Sequence, residues 1–177
     1  MHFSQVSVYH LAMGVGKLRK IPAAVAFGAA GVGVVWSPFS STIYPYSISQ
    51  PSSFKHIVIR DTANIPVDYF FPALGSSTTN LHVKAVPGSE SAIQDQVKVL
   101  RDLGGQHIRR TGWMQLAGQR LALICADFNT YAGRYTIERV SFTARGLVWD
   151  ITASYDLKFR KKIRPTLLRM MRSFRLR

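Results

Sequence analysis

Acid–base chemistry needs titratable side chains that meet, and few in this chain are spaced to do so. Asp127 and Glu138 fall on successive predicted strands, where two carboxylates can approach one another. Arg120, Arg134 and Arg139 lie close to both in sequence, so a salt-bridged sheet face is the stronger reading. The histidines, His2, His10, His56, His82 and His107, show no His-x-x-x-His or related metal-ligand spacing. His82 falls on the outward phase of an alternating strand and reads as ordinary surface. No serine stands in a Gly-x-Ser-x-Gly elbow. The glycines from Gly28 to Gly33 follow no strand and precede no Lys-Ser/Thr pair, so they form no phosphate loop. Cys125 is the only cysteine, which excludes an internal disulfide and a Cys-x-x-Cys redox pair. It sits in the apolar run 121–126 and reads as a small buried hydrophobe. The expectation is a protein that is not an enzyme, with no catalytic, cofactor-binding or metal residues and no cofactor.

One concentration of charge points to binding instead. Lys158, Arg160, Lys161, Lys162, Arg164, Arg169 and Arg172, followed by Arg175 and Arg177, bring nine cations and no acid to the end of the chain. A helix dipole favours Arg169 and Arg172 near a helix C-terminus but leaves the 158–164 cluster unexplained. The functional reading is a basic docking patch for an acidic protein partner or an anionic membrane surface. A simply solvated basic face is the competing one. Only Phe159 and Phe174 interleave, fewer aromatics than the base-stacking platform of a single-strand binder needs. The whole chain leans the same way, with 23 Lys and Arg against 9 Asp and Glu and a net charge of +14. Lys17, Arg19 and Lys20 account for three of these, which leaves +11 on the rest. Such a field attracts polyanions, although a basic proteome alone also yields basic proteins.

The elements that must position this patch can be read from periodicity. Residues 46–49, 57–59 and 67–71 read as short strands, the last ended by Pro72. Residues 81–86 alternate, with Leu81, Val83 and Ala85 on one face. The period then changes. Ser89 is a plausible N-cap, and Ile93, Val97, Leu100 and Leu103 trace an amphipathic helix ended by Gly104-Gly105. Residues 108–117 and 119–128 flank Gly118 as a hairpin, and residues 134–143 and 147–155 flank Arg145-Gly146 as a second. Ile163, Leu167, Met170 or Met171, and Phe174 return to helical spacing, with Pro165 placed in the first turn or kinking the start. Strands, helix, strands, helix imply an α+β class: an antiparallel sheet flanked by helices.

The N-terminal part has a different character. Residues 1–20 end on Lys17-Leu18-Arg19-Lys20 and read as a basic cytoplasmic n-region, with Met13 an alternative start. Residues 21–36 carry no charge and read as a hydrophobic helix, either a signal peptide or an uncleaved signal anchor. Residues 37–45 are Ser/Pro-rich and read as a linker, which leaves 46–177 as the domain. The basic flank should stay in the cytoplasm, so the domain is expected outside it: in the periplasm, at the cell surface or in a thylakoid lumen. Membrane association then runs through residues 21–36, and export argues against nucleic acid as the partner.

Three stretches carry a resemblance. YSISQPSSF at 46–54 is similar to an opening Tyr-Ser-Phe-x-x-Pro-x-x-Trp, with Phe54 in place of the Trp. VDYFFPALGSSTTNLHVKAVP at 67–87 is similar to a strand–loop–strand ending in Asn-hydrophobic-x-Val, and LLRMMRSFRLR at 167–177 to a last helix ending in Ser-Phe. Together they resemble the PsbP-like family, whose fold DcrB- and Mog-type proteins share. The resemblance implies an α/β/α sandwich around an antiparallel sheet, no enzymatic activity, and an exported accessory role. The photosynthetic branch are extrinsic lumenal subunits of photosystem II that support its manganese–calcium cluster. The basic N-terminal anchor and the +11 domain differ from that branch, and no metal-ligand set matches it. The expected function is a non-enzymatic, exported, membrane-tethered accessory or binding protein. A photosystem II extrinsic or assembly-factor-like protein is one alternative, and a small-ligand-binding or enzymatic cleft between sheet and helices is another.

Overall fold

The computed structural model describes residues 34–73, 78–89, 96–130 and 133–177. In chain order the strands are β1 (Trp36–Ser40), β2 (Tyr46–Pro51), β3 (Phe54–Arg60), β4 (Pro66–Pro72) and β5 (Asn80–Pro87). Helix α1 (Gln96–Asp102) leads to β6 (Gln106–Leu116), β7 (Gln119–Thr130), β8 (Gly133–Ala144) and β9 (Leu147–Asp156). A single 3-10 turn, Leu157–Phe159, enters α2 (Arg160–Arg172), and β10 (Arg175–Leu176) follows. A seven-stranded sheet has the order β3-β4-β5-β9-β8-β7-β6, and β1-β2-β10 form a separate three-stranded sheet. The described pairings are all antiparallel.

Alternation decides which side of the large sheet is which. Leu81, Val83 and Ala85 on β5, Val140 and Phe142 on β8, and Trp149, Ile151, Ala153 and Tyr155 on β9 are buried together. Ile163, Leu167, Leu168, Met170 and Met171 of α2 join this core, since helical spacing gathers them on one side of the helix. Tyr46, Phe142, Trp149 and Phe174 form its aromatic centre, with the Tyr46 and Phe174 rings stacked at 5.0 Å and Trp149 edge-on to Phe174 at 5.3 Å. A smaller core lies on the opposite face, where Leu100 of α1 packs on Ile124, Ala126, Phe128 and Ile137. A Cβ at Gly105 would meet Leu100 O at 2.6 Å and the Phe128 ring at 3.1 Å, so α1 can turn into β6 this tightly only through glycine.

Both hairpins form where turn chemistry places them. Ala117 and Gly118 have φ of 49° and 78°, and Arg145 and Gly146 of 56° and 71°. Two successive positive φ values match the right-handed twist of paired strands. The β7–β8 ladder runs from Thr130↔Gly133 to Ile124↔Arg139 and stops there. Beyond that point Met114 and Leu116 of β6 and Leu123 of β7 enter the α2-side core.

Two expectations change. Trp36–Ser40, read as the end of the hydrophobic segment and the start of a linker, is strand β1. It pairs along β2 from Trp36↔Pro51 to Ser40↔Ser47, so the folded body begins well before Tyr46. A Ser/Pro composition looks like a linker, but an edge strand tolerates Pro38 because no ladder bond is lost on its open side. Pro165 sits inside α2 rather than in its first turn, because the α-helix has already started at Arg160. The N-terminal hydrophobic helix, with residues 21–33, lies outside the described residues, as does Ile93 of the expected middle helix. Among the described residues no helix is long and apolar enough to cross a membrane.

Candidate functional site

The expected docking patch divides once α2 is folded. With 3.6 residues per turn, Lys161, Lys162, Pro165, Arg169 and Arg172 share the outer side of the helix, and all are exposed. Arg164 turns inward. Its Nε donates to Glu138 Oε2 at 2.9 Å and its second terminal nitrogen to Oε1 at 2.8 Å. Glu138 is fully buried on β8 and also accepts from Tyr155 Oη at 3.0 Å and Thr111 Oγ1 at 2.9 Å. The hydrogen bonds from Arg164 hold its guanidinium pKa above the usual arginine value, and burial beside Glu138 pushes the Tyr155 hydroxyl up. A bidentate arginine and two hydroxyls satisfy this buried carboxylate, so it is a structural node. Arg164 is therefore unavailable to a partner.

The remaining members have separate fates. Lys158 pairs with Asp156 at 3.1 Å and lies over the Phe159 ring. Arg169 lies over the Trp36 indole, 4.0 Å from its centroid. Arg160, Lys161, Lys162 and Arg172 have no carboxylate partner among the described residues. An open depression of about 380 Å3 is lined by Arg160, Lys161, Arg164 and Pro165. Another of about 380 Å3 is lined by Gly133, Arg134, Asp156, Leu157 and Lys158. Both are basic hollows at the start of α2.

No protein-family model matches the sequence, and no curated protein does. Solved structures do. The solution structure of cyanobacterial PsbP (CyanoP) from Synechocystis sp. PCC 6803 is similar with a TM-score of 0.52 and 13% identity, covering 85% of this chain and 99% of that one. The fold is PsbP-like. A crystal structure from Bacteroides thetaiotaomicron VPI-5482 is similar with a TM-score of 0.50 and 15% identity over 79% of this chain. It covers 48% of that protein, so this chain spans about half its length. LpqN, involved in cell envelope biogenesis of Mycobacterium tuberculosis, aligns over 78% of this chain and 83% of its own at a TM-score of 0.47 and 11% identity. At these identities the likeness concerns fold.

Within the PsbP-like sheet the carboxylates do not meet as the spacing allowed. Asp127 pairs across to Thr136, whose Oγ1 donates to it at 2.8 Å, and Arg109 and His107 approach at 3.4 and 3.6 Å. Burial alone would raise the Asp127 pKa, but the Thr136 hydrogen bond and Arg109 outweigh it and hold it below the usual carboxylate value. Arg139, expected beside these acids, points to the other face and makes a two-pronged pair with Asp150, because neighbours on a strand alternate sides. Arg120 also lies apart, flanking the exposed Trp113 ring at 4.7 Å with Arg110 on it at 4.6 Å. A salt-bridged sheet does form, with Arg109 and Arg164 in place of the cations nearest in sequence.

Two polar features escaped the sequence. Asp68 on β4 is fully buried and accepts from Ser41 Oγ at 2.6 Å, Tyr46 Oη at 2.8 Å and His56 Nε2 at 2.6 Å. The His56 ring is held against Phe39 at 4.4 Å and Phe70 at 5.0 Å. A His–Asp pair suggests a charge relay, but both hydroxyls bond the carboxylate rather than the imidazole, so neither is activated as a nucleophile. The second feature is His82. It is not surface: it stacks on Tyr69 at 5.1 Å on the α1 side of the sheet. Its Nδ1 is buried without a hydrogen-bond partner among the described residues. Burial drives its pKa down to about 4, against a weaker upward pull from Asp150. Alternation alone gave His82 its correct side but could not show that this side is covered there.

Proposed function

We propose that this protein is a non-enzymatic accessory domain, exported and held at a membrane by the part of the apolar run 21–36 that precedes β1, whose cationic α2 face docks an acidic partner or an anionic surface. One observation carries the reading. The first turn of α2 holds Arg160, Lys161 and Lys162 and no acid, at the end of a helix where the dipole disfavours cations. An electrostatic arrangement that works against the helix fits a face selected for what it binds. Arg164 is excluded from the docking set because Glu138 engages it. The set is Arg160, Lys161, Lys162, Arg169 and Arg172, with Lys158 at its margin. The PsbP-like fold supports the extracytoplasmic placement, since the sequence resemblance to that family implies an exported role.

A second reading, a photosystem II extrinsic or assembly-factor-like protein, is a special case favoured by the end-to-end likeness to cyanobacterial PsbP. Co-purification with photosystem II particles from a phototrophic source, lost in high salt, is the result it requires. The broader reading is tested in two steps. Cells carrying a C-terminally tagged full chain are fractionated, and a separate unlysed sample of the same cells is treated with protease. The tag should be membrane-bound and digested; a protected, freely soluble tag removes the proposal. The triple variant Lys161→Glu, Lys162→Glu, Arg172→Glu should then lose salt-sensitive association while remaining folded. Unchanged association would assign the cations to solvation.

A further inference from the structure

The structure brings the end of the apolar segment onto the cationic face. Trp36 closes the uncharged run of residues 21–36 and is also the first residue of β1. No free chain separates the apolar run from the fold. Val34 and Val35, the residues just before it, are 59% and 65% exposed, and Val35 O accepts from Ser52 N at 2.9 Å. The chain therefore leaves the domain at a fixed place. That place is the outer side of α2, since Arg169 lies 4.0 Å from the Trp36 ring centroid and shares that side with Lys162, Pro165 and Arg172.

We propose that the outer face of α2 lies flat against the anionic lipid headgroups of the membrane that the chain's own N-terminal segment enters. This deepens the proposed tether and rests on it. A domain on a flexible linker can point any side at the bilayer. A domain whose first strand begins at the membrane surface must turn toward it whatever surrounds the exit. Here that surround is an indole, suited to the headgroup layer, and cations on long stems that can reach phosphate while their methylenes stay near the acyl boundary. Anionic leaflets attract such clusters within a Debye length, so the distance imposed by the missing linker decides whether the attraction acts at all. Helix α1, on the opposite face of the sheet, points away from the lipid.

The test uses the full chain reconstituted in vesicles of phosphatidylcholine alone or with phosphatidylglycerol. An environment-sensitive dye is placed at Pro165→Cys on α2 or at Arg101→Cys on α1, with Lys162→Cys as a second α2 position should Pro165→Cys misfold. Native Cys125 is buried and its thiol pKa is pushed up to about 11, so it stays unlabelled. Headgroup-level quencher lipids should quench the α2 dye several-fold more than the α1 dye. The difference should require phosphatidylglycerol and vanish in 1 M salt or with Arg169→Glu plus Arg172→Glu. Equal quenching at both positions, in protein that stays with vesicles through carbonate washing, overturns this orientation and leaves the tether standing; the cationic face then points to a protein. Release of the chain from vesicles by carbonate removes the tether and this proposal together.

Discussion

Glu138 and Arg164 show how a charge cluster can hide a structural pair. Removing the cation leaves a carboxylate with no solvent contact, a change that costs about 3–5 kcal/mol for a fully buried pair and less here, where the Arg164 side chain is 28% exposed. Arg164→Ala is therefore expected to lower the urea midpoint sharply. The double variant Glu138→Leu, Arg164→Met should recover much of the loss, since apolar replacement of a whole buried pair is often neutral. A double variant as unstable as the single would mean that Thr111 and Tyr155 carry the node. His82 makes a pH prediction. Its folded pKa, about 4, lies below its ordinary value of 6.5. Between those values the unfolded chain binds more protons than the folded one, so stability rises with pH across the window. The contribution is complete above about pH 6.5, is lost progressively toward pH 4, and amounts at most to a few kcal/mol at about 1.4 kcal/mol per pKa unit. Asp61 and Asp127 have pKa values lowered from 3.8, so their losses fall at more acidic pH. Unfolding free energies from pH 4 to 7 should flatten in His82→Gln; an unchanged slope would place the titration elsewhere.

At the scale of elements, α2 sets stability against binding. Lys161 and Lys162 sit in its first turn, where a carboxylate would be favoured by about 0.3–1 kcal/mol at each position. Lys161→Glu and Lys162→Glu should each raise the melting temperature slightly while weakening association with an anionic surface. A fall in both would show that the lysines support the fold. The element also marks how far the sequence could be read. The apolar stripe Ile163, Leu167, Met170 and Met171 was legible because helical spacing leaves no other solution, and both hairpins were legible because a residue followed by glycine can take two positive φ values in a row. The inward turn of Arg164 was not, since it depends on Glu138 from a strand that only tertiary packing brings near. β1 was missed because its five residues, WSPFS, carry no strict alternation, and its pairing depends on the open edge of β2. The docking residues were thus visible as a charge count, and their division into buried, stacked and free members was not.

For the whole molecule the question is how the small sheet, which holds the chain's exit, is fixed to the large one. β1 and β2 bring Phe39 and Tyr46, the turn between them brings Ser41, and β10 is clasped to that turn by Arg177, whose guanidinium donates to Ser41 O and whose backbone N donates to Pro45 O. Asp68 lies in β4 of the large sheet and gathers Ser41, Tyr46 and, from β3, His56 on one carboxylate. Any pull on a membrane tether through Trp36 would run along β1 into this node. Asp68→Ala leaves two hydroxyls and an imidazole without their acceptor, and each buried orphan costs about 1–3 kcal/mol. Because the aromatic centre around Trp149 and Phe174 remains, the loss should be local before it is global. Hydrogen exchange in β1 and β2 should then quicken by at least about tenfold, the ratio for 1.4 kcal/mol, with little change in β8 and β9. Uniform acceleration across both sheets would mean that the molecule opens as one unit, with the Asp68 node a share of a single cooperative core rather than a joint between two sheets.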